Sequence, residues 1–166
     1  SSSALEFAKQ HAKSELFTNH ILLAYSGSRF ANNAPRRTLD EAFVLSQQIK
    51  GEFDGGENFG ALAEKYSDDP GAVNNSGSLG WVQWGATVPK FQLSAFSLDL
   101  GEVSVPVLTD FGYHLILISD VRPSENQYLD DDAYENRVVN LSKNSIRNLL
   151  QPAALKYDSL IIINNG

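Results

Sequence analysis

The chain has 166 residues, with 13 Lys and Arg against 20 Asp and Glu, a formal net charge of −7 and no cysteine. The acidic balance argues against a broad nucleic-acid surface, which needs clustered basic side chains, and the lack of thiols excludes disulfides, thiolate nucleophiles and Cys-ligated zinc. Hydrophobic residues at 42%, with 9 Phe, 6 Tyr and 2 Trp, suffice for a packed core, while no apolar run approaches the roughly 20 residues that span a bilayer.

The chain contains no methionine and opens Ser1-Ser2-Ser3, the pattern of a processed or excised fragment. Residues 4–14 read as a short helix with Leu5, Ala8 and Ala12 on one side and His11 exposed. Residues 16–24 read as a strand. Period two sets Thr18, His20 and Leu22 on one face, against Phe17, Asn19, Ile21 and Leu23 on the other. Residues 25–37 are an exposed loop in which Arg29, Arg36 and Arg37 read as solvated charges. Thr38 and Glu41 form a capping box, opening a helix to about Lys50 with Leu39, Ala42, Phe43, Ser46 and Ile49 as its inner stripe. Asn58 caps a second helix that places Phe59, Leu62, Ala63 and Tyr66 on one face.

Residues 67–80 read as a polar loop, followed by a brief strand at Trp81 and Val82. Pro89 suits the first turn of a third helix carrying Leu93 and Phe96 inward. Strands follow around residues 103–107 and 113–118, and in the second of them His114 shares a face with Ile116 and Ile118. The order strand, helices, strand, helix, strand, strand predicts an α+β fold with a mostly antiparallel sheet. After Pro123, residues 126–150 read as a long amphipathic helix with Leu129, Tyr134, Val138, Leu141, Ser145 and Leu149 as its stripe. Asp130, Asp131 and Asp132 sit near its start, where negative charge is favourable. Residues 160–163 read as a terminal strand. The expected organisation is a helical flank at 1–15, a compact domain at 16–122 and a helical extension at 123–166.

Three readings compete for His20 and His114, which both lie in apolar strands. Each imidazole has two nitrogens to satisfy, so a lone buried histidine is unfavourable. They are core histidines satisfied by each other or by Thr18 or Thr109, two ligands of a metal site completed by Asp68 or Asp69, or a hydrogen-bonded pair lining a substrate groove beneath the 67–80 loop. The metal reading has no compact ligand spacing behind it. Asp68 and Asp69, adjacent in sequence, read as solvated acids. Ser76 lacks the flanking glycines of a Gly-x-Ser-x-Gly hydrolase turn, and Gly77-Ser78-Leu79-Gly80 lacks the lysine of a phosphate loop.

Several fragments, in order, resemble the parvulin-type peptidyl-prolyl isomerases. They are residues 19–22, Asn-His-Ile-Leu; 59–70, Phe-Gly-Ala-Leu-Ala-Glu-Lys-Tyr-Ser-Asp-Asp-Pro; and 77–81, Gly-Ser-Leu-Gly-Trp. Phe91 with residues 95–98, residues 101–107 and residues 109–114 continue the match, which spans about 16–122. The resemblance implies a parvulin fold of four antiparallel strands flanked by helices, catalysing cis–trans isomerisation of X-Pro bonds without cofactor or metal. It assigns His20, Asp69, Thr109 and His114 to the catalytic polar network, and Leu79, Val82, Thr87 and Phe91 to the proline pocket. Ser78 stands where the family usually has Asp, and Val82 and Thr87 where it commonly has Phe and Met, so the pocket wall is smaller and more polar. Ala24 stands where phosphate-reading relatives carry a basic residue, so no phosphoserine specificity is expected.

Proline-containing polypeptides are the partners this implies, in a bacterial periplasm or other extracytoplasmic space. The alternative is a non-catalytic chaperone or peptide-binding module of the same fold. The unburied stripe of the extension must be covered either by docking within the chain or by a homodimer through residues 126–163.

Overall fold

The computed structural model describes residues 2–29 and 36–149. Strands β1 (Ser14–Leu23), β2 (Ser78–Gln83), β3 (Val107–Thr109) and β4 (Gly112–Pro123) form one sheet in the order β2-β1-β4-β3, every pair antiparallel. Helices α1 (Ser2–His11), α2 (Leu39–Asp54), α3 (Phe59–Tyr66), α4 (Ala72–Asn75), α5 (Pro89–Ala95) and α6 (Asp131–Leu149) surround it. This is the expected α+β architecture.

The alternation read from β1 and β4 divides the core in two. Leu16, Leu22, Ile116 and Ile118 pack with Phe91, Ala95 and Phe96 of the α5 region, with Ala8 and Ala12, and with Tyr134, Val138 and Leu141 of α6. Ile21, Leu23 and Leu115 point the other way and pack with Ala42, Ile49, Phe59, Leu62 and Ala63 of α2 and α3. The register sets His20 opposite Ile116 and Leu22 opposite His114. The two histidines are therefore diagonal neighbours on one face, within reach of each other across adjacent strands.

Local signals account for the helix starts. Thr38 accepts from the Glu41 amide while the Glu41 carboxylate accepts from the Thr38 amide. Asn58 accepts from the Ala61 amide, and Asp130 accepts from the Ala133 amide at the start of α6.

Several expectations are corrected. Helix α2 runs one turn past Lys50 and stops at Gly55, since a single Gly51 weakens a helix without ending it; Leu39 and Phe43 flank its buried stripe as partly exposed side chains. The 67–80 segment contains the helical turn α4. In α5 it is Phe91, Gln92 and Ala95 that face inward, while Leu93 is exposed. The third strand is Val107–Thr109, preceded by a single bridge from Val103 to Leu117, because Pro106 has no N–H to extend the ladder. Helix α6 begins at Asp131 after a 3₁₀ turn at Glu125–Tyr128, leaving Leu129 exposed outside it. The strand expected at 160–163 lies outside the described residues.

The stripe of α6 is covered within the chain. Tyr134, Val138 and Leu141 join the core on the α1 side, and Tyr134 donates its hydroxyl to the Lys9 carbonyl. Lys9 pairs with Glu135 at 3.2 Å, and the ammonium of Lys13 lies 4.9 Å from the Tyr134 ring centre. Ser124 and Asn126 both donate to the carbonyl of Ala12, tying the start of the extension to the end of α1. His11 is half-buried against Phe7 and Phe96 rather than exposed, because α1 lies flat on the core.

Candidate active site

Four side chains from four parts of the chain meet in one buried line. Asp69 lies in the loop after α3, His20 on β1, His114 on β4 and Thr109 at the end of β3; none is more than 7% exposed. His20 Nε2 is 2.5 Å from Asp69 Oδ2, His20 Nδ1 is 3.4 Å from His114 Nδ1, and His114 Nε2 is 2.7 Å from Thr109 Oγ1. The two imidazoles are nearly parallel, with centres 5.6 Å apart.

The proton positions follow from the ends of this line. The Phe111 amide donates to Thr109 Oγ1, which leaves the threonine hydroxyl free to donate to His114 Nε2. His114 then carries its proton on Nδ1 and donates to His20 Nδ1, and His20 donates from Nε2 to the Asp69 carboxylate. In this direction all four ring nitrogens are satisfied. Burial holds the His114 pKa well below the ordinary imidazole value, the proximity of His20 lowers it further, and Asp69 opposes this only in part.

The Asp69 loop is held from both sides. Ser67 Oγ accepts from the amides of Leu22 and Asp69, and the Asp68 amide donates to the Leu22 carbonyl. Asp69 Oδ1 accepts from the Gly71 amide. On the far side the Asp68 carboxylate accepts from the Ala24 amide and from Arg37, which also donates to the Ala24 carbonyl. Burial raises the Asp68 pKa and the Arg37 charge works against that shift. Gly77 closes the arrangement: its carbonyl accepts from the His20 amide, and a Cβ there would lie 2.5 Å from the His20 carbonyl oxygen.

These contacts correct three readings. Asp69 is buried and Asp68 partly buried, each against an imidazole or cationic partner, rather than solvated. Arg37 is the partner of Asp68, and Arg29 donates to the Leu149 carbonyl and lies over the Phe111 ring, while Arg36 is exposed. Ser67 and Arg37 carry no periodic signal; only the run of short polar residues before Pro70 marks the loop as one that bonds to backbone.

Of the residues assigned to the proline pocket, Phe91 lies beside this line. Phe91 meets both imidazoles edge-on, at 5.9 Å from the His20 centre and 5.4 Å from that of His114. Leu79 is partly buried against the same cluster. Val82, Thr87 and Phe91, however, are only 0–1% exposed, so none of the three presents an open surface. The open space nearby is a cavity of about 350 Å³ between Tyr25, Val88, Lys90, Leu108, Thr109 and Leu149. Among the described residues no group of three or more His, Cys, Asp or Glu side chains is disposed to hold a metal ion.

Comparison with known proteins gives the same architecture. A family model described as the PPIC-type PPIase domain matches residues 5–122. The foldase protein PrsA of Geobacillus kaustophilus is 40% identical over 120 residues, which is 70% of this chain and 40% of the relative. The chaperone SurA of Chromohalobacter salexigens is 43% identical over 88 residues, 53% of this chain and 20% of the relative. The crystal structure of peptidylprolyl isomerase PrsA from Bacillus anthracis matches with a TM-score of 0.59 at 26% identity, covering 86% of this chain and 60% of that one. The chain thus spans less than half the length of these two sequence relatives.

Two outcomes follow from the buried groups. In the unfolded chain His114 titrates near 6.5 and in the folded chain well below it, so lowering the pH below about 6.5 protonates only the unfolded state. Stability should be flat from pH 8 to 7 and fall below that, by up to about 1.4 kcal/mol per pH unit for one proton. Half-buried His11 adds in the same direction, whereas Asp68, its pKa raised, acts oppositely only in the more acid range. Urea midpoints measured between pH 8 and 5.5 test this; an unchanging midpoint contradicts it. Arg37→Ala should destabilise by about 1–3 kcal/mol, the effect of leaving a partly buried carboxylate without its donor. Arg37→Lys should recover part of that loss. A neutral Arg37→Ala contradicts the clamp.

Proposed function

The chain belongs to the PPIC-type PPIase domain family, and on that premise we propose that it catalyses cis–trans exchange of X-Pro bonds in unfolded or partly folded polypeptides. The observation that carries this reading is the Asp69–His20–His114–Thr109 line with Phe91 seated edge-on against both rings. Residues 16–122 form the catalytic unit in this reading, flanked by 1–15 and 123–166.

The chemistry needs no bond to break. The barrier of about 18–20 kcal/mol comes from amide conjugation, which is lost when the bond twists. Conjugation also places negative charge on the carbonyl oxygen, so surroundings that oppose that charge raise the planar forms relative to the twisted one. The Asp69 carboxylate, with the two imidazoles behind it, supplies such surroundings. Phe91, Leu79, Val82 and Thr87 form the wall for the proline ring, which stays fixed while the carbonyl side rotates. None of the four polar residues acts as a nucleophile in this scheme: both Asp69 oxygens accept hydrogen bonds, and each ring nitrogen is engaged.

Clients are proline-containing polypeptides, and the place of action is a bacterial periplasm or extracytoplasmic space. Resemblance to the PrsA foldases and the SurA chaperones supports both statements. A second reading, a non-catalytic peptide-binding module, is favoured by one observation: the burial of Val82, Thr87 and Phe91.

Exchange measured without a coupled protease, by NMR on short X-Pro peptides, separates the two. The wild type should exceed the buffer rate, and Asp69→Ala should lose at least about 10-fold in kcat/KM, or ~1.4 kcal/mol of barrier lowering, with its fold intact by circular dichroism. Asp69→Asn, which keeps an acceptor for His20 but removes the charge, should fall nearly as far. Full turnover in Asp69→Ala contradicts the assigned role, and buffer-rate exchange by the wild type across varied X residues decides for the binding module.

A further inference from the structure

The inner face of α6 changes character along its length. Tyr134, Val138 and Leu141 make an ordinary apolar anchor on the α1 side. In the last two turns the inward residues are Ser142, Ser145 and Asn148, and Ser145 and Asn148 are almost fully buried. Their partners lie in the segment between β2 and α5. Asn148 Nδ2 donates to the carbonyls of Gly85 and Ala86 at 3.2 and 3.0 Å, Ser145 Oγ donates to the Thr87 carbonyl at 2.6 Å, and Trp84 Nε1 donates to Ser142 Oγ at 3.1 Å. The helix comes close enough that a Cβ on Gly85, whose φ is +92°, would lie 2.5 Å from the Leu141 carbonyl oxygen.

Three successive backbone carbonyls are therefore capped by side-chain donors from one helix. They border Thr87, whose hydroxyl is buried without a hydrogen-bond partner. Leu149, at the end of the same helix, walls the cavity that reaches Thr109. Turn carbonyls held by replaceable side-chain donors can instead accept from the N–H groups of a bound polypeptide, while a proline, which has no N–H, leaves its ring to pack beside Thr87.

We propose that the carbonyls of Gly85, Ala86 and Thr87 form a docking edge for a proline-bearing polypeptide, which bonds to this turn by its own amides, and that the last two turns of α6 occupy this edge as an internal cover. The client replaces the Ser145 and Asn148 donors with its own amides and uncovers Thr87. The apolar first half of α6 stays anchored on α1 throughout. This rests on the isomerase reading for its substrate, and it reconciles that reading with the burial of Thr87. Because cover and client compete for one edge, the cover lowers apparent affinity without altering the chemical step.

The test uses the full chain, the double variant Ser145→Ala/Asn148→Ala, and an end-blocked Ala-Leu-Pro-Phe peptide. Loosening the cover should lower KM at least 3-fold with kcat unchanged. In the wild type, saturating peptide should speed amide hydrogen exchange across residues 143–149 while residues 134–141 keep their protection, and should change the emission of Trp84. An unchanged or raised KM in the double variant overturns the proposal. Peptide that binds and is isomerised without altering exchange at 143–149 also overturns it, and leaves the isomerase reading standing. Peptide that releases 143–149 yet is never isomerised supports the docking edge and removes catalysis instead.

Discussion

Two imidazoles buried side by side on neighbouring strands set the constraint around which this chain is arranged. Neither His20 nor His114 is exposed, and a buried ring nitrogen without a partner is unfavourable by about 1–3 kcal/mol. Two rings present four nitrogens. The β1–β4 register supplies one contact by making the histidines diagonal neighbours, and the two outer nitrogens must then be met by Asp69 and Thr109. Much of the loop architecture serves that requirement. The β3–β4 hairpin brings Thr109 within 2.7 Å of His114, and the loop after α3 is pinned to β1 so that Asp69 reaches His20.

The same constraint polarises the line. A hydroxyl at one end and a carboxylate at the other leave one consistent direction of donation, and burial keeps His114 neutral near neutral pH. The result is a line with an acidic group at one end and a hydroxyl at the other. Phe91, edge-on to both rings, couples this polar line to the apolar side of the site. The Arg37–Asp68 clamp and the polar half of α6 act at one remove, on the loop that carries Asp69 and on the segment that carries Thr87.

Features carried by local periodicity or by short-range caps were legible in the sequence. The alternation in β1 and β4 put His20 and His114 on the faces where they lie, and Thr38 with Glu41, like Asn58, marked true helix starts. The residues alone left Thr18 or Thr109, and Asp68 or Asp69, as partners of the histidines, and the family resemblance selected Thr109 and Asp69. Other features left no local trace. Helix α5 has only two turns, too few for a period to decide between Leu93 and Phe91 as its inward residue. Arg37 and Asp68 are 31 residues apart, and nothing in either neighbourhood announces a partner. Ser145 falls on the stripe read for the helix, but Ser142 and Asn148 are polar and a hydropathy pattern turns them outward; all three are turned inward by partners on a distant segment.

The direction of hydrogen-bond donation through the two histidines is the claim on which the catalytic account stands. Nitrogen-15 chemical shifts of the histidine side chains, followed by NMR from pH 8 to 5.5, measure it directly. The account predicts that His114 remains neutral with its proton on Nδ1 while His20 carries a proton on Nε2 bonded to Asp69. A His114 protonated on Nε2, or one that titrates near 6.5 in the folded chain, would contradict it.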